Sequence, residues 1–126
     1  MARHNELGQI GEKTASEFLI SKGFIIRDMN WRVGRLEIDI VAQEPSVNLL
    51  HIIEVKTRSN VDHFDPMDSI RQVKIRNLVN AANGYISYYQ LNMSVQFDVM
   101  ILVGAPPDLK ILFIPNAFEP PLRTIR

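Results

Sequence analysis

Between Asn5 and Lys22, Ile10, Thr14, Phe18 and Leu19 recur at spacings of three and four, and Gly23 follows them. That spacing predicts an amphipathic helix ending at a glycine. Phe24 to Arg27 is a short β-prone run, and Asn30 to Arg35 reads as a polar connection carrying one aromatic residue, Trp31. Leu36 to Ala42 and Leu49 to Thr57 are rich in Ile, Val and Leu, with turn chemistry at Gln43-Glu44-Pro45-Ser46, so they predict a hairpin of central strands. Ser59 to Pro66 has loop composition. Ile70, Val73, Leu78, Ala81, Ala82, Tyr85 and Tyr89 then form a helical stripe, in which Gly84 costs roughly 1 kcal/mol against Ala. Val95 to Val103 and Leu109 to Ile114 are strand candidates separated by Gly104-Ala105-Pro106-Pro107, and the tail from Pro115 reads as irregular. The predicted class is α/β, in the order α-β-β-β-α-β-β.

Composition narrows the chemistry. The 126 residues, 46% hydrophobic and 22% charged, suit a single globular domain spanning 1–126. The absence of cysteine excludes disulfides, thiolate metal sites and cysteine nucleophiles, so any metal must sit on oxygen or imidazole. The N-terminal stretch has no signal-like apolar run and no segment is apolar enough to span a membrane, so a cytoplasmic protein without a membrane partner is expected. A net charge of zero gives no global electrostatic argument for nucleic acid. An acidic metal site would nevertheless recruit a cation that reverses the local sign.

Candidate chemistry sits on the two central strands. Side chains at i and i+2 of a strand share a face, which pairs Glu37 with Asp39 and Glu54 with Lys56 among otherwise apolar neighbours. If the strands form a hairpin, these four groups become neighbours on one sheet, where buried carboxylates require a compensating partner. Two carboxylates from adjacent strands suit Mg2+ or Mn2+, with Asp39 and Glu54 as ligands. Lys56 on the same face as Glu54 would orient or help deprotonate a water, or neutralise phosphate charge. The implied reaction is phosphodiester hydrolysis. An ion-pair network at a strand end gathers the same residue types, and the spacing does not separate the two.

Several motifs occur together in a fixed order: Gly11-Glu12, Asn30-Trp31-Arg32, Glu37-Ile38-Asp39-Ile40-Val41-Ala42, Ile53-Glu54-Val55-Lys56-Thr57-Arg58, Lys74 with Leu78, and Phe97-Asp98-Val99. They resemble the YraN-type endonuclease-like family over nearly the whole chain. That family looks like a member of the restriction-endonuclease-like superfamily and is similar to archaeal Holliday junction resolvases. The resemblance implies a restriction-endonuclease-like core, a mixed β-sheet flanked by helices. It also implies an acidic-plus-lysine site on Asp39, Glu54 and Lys56, with Glu12 as a further acid. Leu36 stands where the family pattern has glycine. The expected function is a divalent-metal-dependent endonuclease hydrolysing DNA, including branched or structured DNA, and resolvase similarity implies a homodimer. The alternatives are a non-catalytic nucleic-acid-binding module on the same fold and an interaction protein whose acids form an ion-pair network.

Supporting residues have plainer readings beside the functional ones. Arg58, Arg71 and Lys74, with Arg35, are candidate phosphate contacts or ordinary solvated basic residues. Trp31 is a candidate stacking platform for an unpaired base or a core residue. His63 is a candidate ligand or proton carrier, or a polar loop residue. Glu37, facing the same side as Asp39, is a candidate site acid that accepts from Lys56 or binds a metal through a water, or a plain partner of Arg35 or Arg58, and Asp98 reads as a lone, structural acid in an apolar strand.

Overall fold

The computed structural model describes residues 2–59 and 72–119, and within them the element order is the expected one. Helix α1 (Ala2–Ser21) leads into β1 (Ile25–Val33), β2 (Leu36–Glu44) and β3 (Leu49–Arg58). Helix α2 (Gln72–Tyr89) precedes β4 (Ser94–Val103) and β5 (Lys110–Ile114). The strands form one mixed sheet in the order β1-β2-β3-β4-β5, antiparallel except for the parallel pair β3–β4, which α2 connects. A parallel pair requires a crossover, and an α-helix is its usual form.

Alternation in the strands supplies an apolar layer on each side of the sheet. Val41, Leu50, Ile52 and Phe97 pack with Leu78, Ala81, Ala82 and Tyr85 of α2. Ile40, Ala42, Ile53, Met100 and Leu102 pack with Ala15 and Leu19 of α1. The sheet is buried on both faces, which explains why β2 and β3 read as near-continuous apolar runs.

Both helices end in the same way. Gly23, at φ 94°, donates to Ile20 O, and Phe24 N–H donates to Leu19 O at 3.0 Å, a left-handed stop that caps the last carbonyls. Gln90, at φ 55°, does this for α2, with Leu91 N–H donating to Ile86 O at 3.0 Å. Gly11 fulfils a different need. A Cβ there would lie 2.7 Å from Thr57 Cγ2 and 3.1 Å from Leu102 Cδ1, so its hydrogen lets α1 sit close on β3 and β4.

The connection expected at Asn30 to Arg35 is instead mostly strand. β1 runs on to Val33, which pairs with Leu36 across a two-residue turn, Gly34-Arg35. Gly34 takes φ 58°, the conformation such hairpin turns need at their first central position. Polarity misled the reading because β1 is an edge strand that tolerates exposed Asn30 and Arg32. Leu36 is half-buried against the α2-side core. A second departure concerns β2. Ile40 packs on the α1 side, yet Ile38, which strict alternation would put beside it, packs on the α2 side, so the alternation breaks at Asp39.

Candidate acidic site

The β2–β3 ladder ends at the pair Ile40–Ile53. One further step would set Asp39 opposite Glu54, but here the backbones no longer pair, and Val55 N–H donates to Asp39 Oδ2 at 2.8 Å. A side chain has taken the place of a ladder carbonyl. This bond holds the Asp39 carboxylate against the peptide between Glu54 and Val55 and brings the two acids together.

Glu54 shares its strand face with Ile52, on the α2 side, and its side chain is 4% exposed. Two ammonium groups compensate it. Lys56 Nζ lies 3.2 Å from Glu54 Oε2, and so does Lys74 Nζ, reaching across from α2. Lys74, expected to contact phosphate, is therefore a partner of the buried acid, with its side chain 40% exposed.

Beside Asp39 opens a cavity of about 490 Å³, walled by Glu12 with Gly8 and Gln9 of α1, Asn30 and Arg32 of β1, and Glu37 and Asp39 of β2. Neither Glu54 nor Lys56 lines it, so Asp39 stands between the cavity and the lysine-bound acid. The close seat of α1 at Gly11 carries the next residue, Glu12, to the cavity, where Asn30 Nδ2 donates to Glu12 Oε1 at 2.9 Å. Asn30 has φ 54°, a left-handed conformation that Asn tolerates better than most residues. Glu37 pairs with Arg32, its cross-strand neighbour, at 3.4 Å, rather than with Lys56, Arg35 or Arg58.

Burial dominates the electrostatics, and neighbouring negative charge adds to it. Burial pushes the Asp39 carboxyl up to about 7, and Glu54 and Glu12 push the same way against the Val55 N–H bond and Lys74. Burial also raises Glu12, with Glu37 and Glu54 adding to it while the Asn30 hydrogen bond opposes. The two lysines on Glu54 thus leave Asp39 short of positive charge.

Such a donor set is all oxygen and suits a hard divalent cation. Among the described residues, no three Asp, Glu or His side chains are grouped to hold a metal by themselves. Mg2+ commonly binds through one or two carboxylates and keeps several waters, and Asp39 with Glu54 meets that smaller requirement.

Of the remaining candidates, Arg58 donates from Nη1 to Thr57 O at 2.8 Å, and Arg35 is exposed in the β1–β2 turn. Arg71 and His63 lie outside the described residues. Trp31 is half-buried against the α2-side core.

Asp98 is far from alone. It is buried on the α1 side, accepts from Gln96 Nε2 and Asn116 N–H, and bonds His51 Nδ1 at 2.5 Å, while His51 Nε2 meets Glu44 Oε1 at 2.9 Å. Sequence reading passed over His51 because an isolated His in an apolar strand gives no sign of its neighbours; its only signal was a second polar residue, Asp98, in the neighbouring apolar strand. No described helix is long and apolar enough to cross a membrane.

Comparison with known proteins gives the chain its relatives. A UPF0102 protein of Bacteroides thetaiotaomicron is 43% identical over 97% of this chain and 99% of its own length. One from Phocaeicola vulgatus is 41% identical over the same shares, and one from Flavobacterium psychrophilum is 41% identical over 94% of this chain and 98% of its own. The model of the uncharacterised protein family UPF0102 matches residues 11–102, a stretch that runs from Gly11, at the seat of α1, through Asp39, Glu54, Lys56 and Lys74 to Leu102. On the extent of that match and on these relatives, the chain belongs to the UPF0102 family, the YraN-type family.

Proposed function

We propose that this protein is a divalent-metal-dependent endonuclease that hydrolyses phosphodiester bonds of DNA, branched or structured DNA among its substrates, on a restriction-endonuclease-like core. The observation that carries the reading is the opening of the β2–β3 ladder at Asp39. There a half-buried carboxylate, held by Val55 N–H and raised by burial and by Glu54, borders a cavity of about 490 Å³.

Asp39 and Glu54 would hold Mg2+ or Mn2+. A metal bound there supplies a water of lowered pKa and stabilises charge building on the phosphate oxygens. To serve as a ligand Asp39 would have to be ionised, so binding of the cation would compete with the proton that its raised pKa, about 7, favours. Lys56, anchored on Glu54 Oε2, would orient the attacking water or neutralise a phosphate oxygen. Glu12 and Glu37 line the cavity where a substrate strand would enter, and Arg32 beside them offers a guanidinium for its phosphates. A homodimer would supply a second such site for the second strand of a junction.

The test is cleavage of linear, flapped and four-way-junction DNA with and without Mg2+ or Mn2+. Asp39→Ala and Lys56→Ala should each lower metal-dependent cleavage by roughly a hundredfold or more while leaving the far-ultraviolet circular dichroism unchanged. Full activity in either folded variant would sink the assignment. One observation favours a second reading, a non-catalytic nucleic-acid-binding module: both lysines already neutralise Glu54. Salt-dependent DNA binding without cleavage in any metal would decide for that module.

A further inference from the structure

On the other side of Arg32 lies a second cavity, of about 520 Å³, between Trp31, Arg32 and Val33 of β1 and Gly84, Ser87, Tyr88 and Tyr89 of α2. Three of its seven lining residues, Trp31, Tyr88 and Tyr89, are aromatic. Trp31 meets Tyr85 edge to face at 5.0 Å and Tyr88 at 6.2 Å, and Tyr89 meets Tyr85 and Tyr88 at 4.7 and 4.8 Å. The assembly is anchored from below, because the buried Tyr85 donates its hydroxyl to Asp28 Oδ2 at 2.6 Å and accepts from Arg27 Nε at 3.0 Å. Gly84 allows the helix this close, since a Cβ there would lie 3.3 Å from Val33 Cγ1.

The aromatic surface is not a sealed core. Tyr88 is 72% exposed and Tyr89 39%. Cations flank it: the Arg27 guanidinium stands 5.7 Å from the ring centres of both Tyr85 and Tyr89, and Arg32 lines this cavity and the acidic one alike. Aromatic faces for bases with guanidinium groups for the backbone are the combination by which proteins hold unpaired nucleic acid. The volume falls within the range of ligand pockets.

We infer that the Trp31–Tyr88–Tyr89 cavity is a stacking site for an unpaired nucleobase of a strand whose phosphates pass Arg32 toward the acidic site. This rests on the nucleic-acid reading above and adds the feature recognised, a base outside the duplex. Stacking accepts any base, since each has a π-face, so the site selects strand structure rather than sequence.

Trp31 is the chain's single tryptophan, so its emission reports directly on this cavity. The protein is titrated without metal, and therefore without cleavage, with a DNA hairpin carrying a short oligothymidine overhang and with the same hairpin blunt. The overhang should quench Trp31 and bind about tenfold more tightly than the blunt form. Tyr88→Ala, at an exposed position, should lose that preference, and Tyr88→Phe should keep it. An unchanged preference in Tyr88→Ala overturns the inference, as does binding of neither hairpin. Emission that follows protein concentration instead of DNA also overturns it, because a second copy would then cover the cavity. If Tyr88→Ala keeps the preference while metal-dependent cleavage persists, the stacking site alone fails. If the preference is lost in Tyr88→Ala but no metal supports cleavage in the wild type, catalysis fails and the stacking site stands.

Discussion

Asp39 is the residue on which local energetics and proposed chemistry meet. Its ionised form is disfavoured by burial and by Glu54, and both would be relieved by a bound cation. The folded pKa, about 7, lies above the ordinary carboxylate value, so the metal-free fold binds a proton that the unfolded chain has already lost. The resulting stability is complete below about pH 4 and disappears as pH rises through about 7. Asp39→Asn keeps an oxygen for Val55 N–H and removes the charge. In metal-free buffer this variant should melt close to wild type near pH 4 and above it at pH 8, by ~2 kcal/mol or on the order of 5 °C. Equal melting temperatures at pH 8 would mean that Asp39 carries no penalty, and the case for a missing cation would weaken with it. Lys74 tests the same balance from the opposite sign. Because it is one of two ammonium groups on Glu54 and helps hold Asp39 down, Lys74→Met should raise the apparent pKa of Asp39, which carbon-detected NMR titration of its carboxyl would report.

At the scale of elements, the site depends on how closely α1 seats on the sheet. Gly11→Val would push a branched side chain into Thr57 and Leu102. We expect ~2 kcal/mol of destabilisation, measured by urea unfolding, together with displacement of Glu12 from Asn30. A neutral result would mean that the helix can shift without loss. The two helices, the β2–β3 hairpin and the acids on it were legible because each obeys a local rule: a helical stripe, a turn, an i/i+2 spacing. What escaped was tertiary. β1 runs past the predicted end at Arg27 to Val33 because an edge strand need not look apolar, and α2 stops at Gln90, a residue without the usual glycine signal. The break in alternation at Asp39 accompanies the bond from Val55 N–H on the neighbouring strand, so β2 alone could not announce it. Lys74 and Glu54 pair across elements that only the fold brings together.

Over the whole molecule the formal net charge is zero, so stability near neutral pH is governed by a few buried groups more than by overall repulsion. Two titratable groups stand out: Asp39, beside Glu54 where the β2–β3 ladder opens, and His51, between Asp98 and Glu44 on the α1 side. Burial alone would lower the His51 pKa, but its hydrogen bonds and charge attraction to Asp98 and Glu44 outweigh that and raise it. Stability from His51 is therefore fully present below its ordinary pKa, about 6.5, and is lost as pH rises through the elevated folded value. With Asp39 acting in the same direction at lower pH, the metal-free protein should be most stable on the acid side of neutrality, with a decline in two segments. Asp39→Asn should flatten the segment below about pH 7. His51→Gln should flatten the upper one, at a cost of ~3 kcal/mol at pH 6, because the buried Asp98 would keep only Gln96 and Asn116 as partners. Denaturant unfolding of both variants across pH 4 to 9 checks this, and an upper segment unchanged in His51→Gln would rule out the imidazole as its source. Added Mg2+ should raise stability at pH 8, where Asp39 is ionised, and lose its effect below pH 6. A response confined to the Asp39 segment would tie the cation to the acidic site and leave the His51 network as framework.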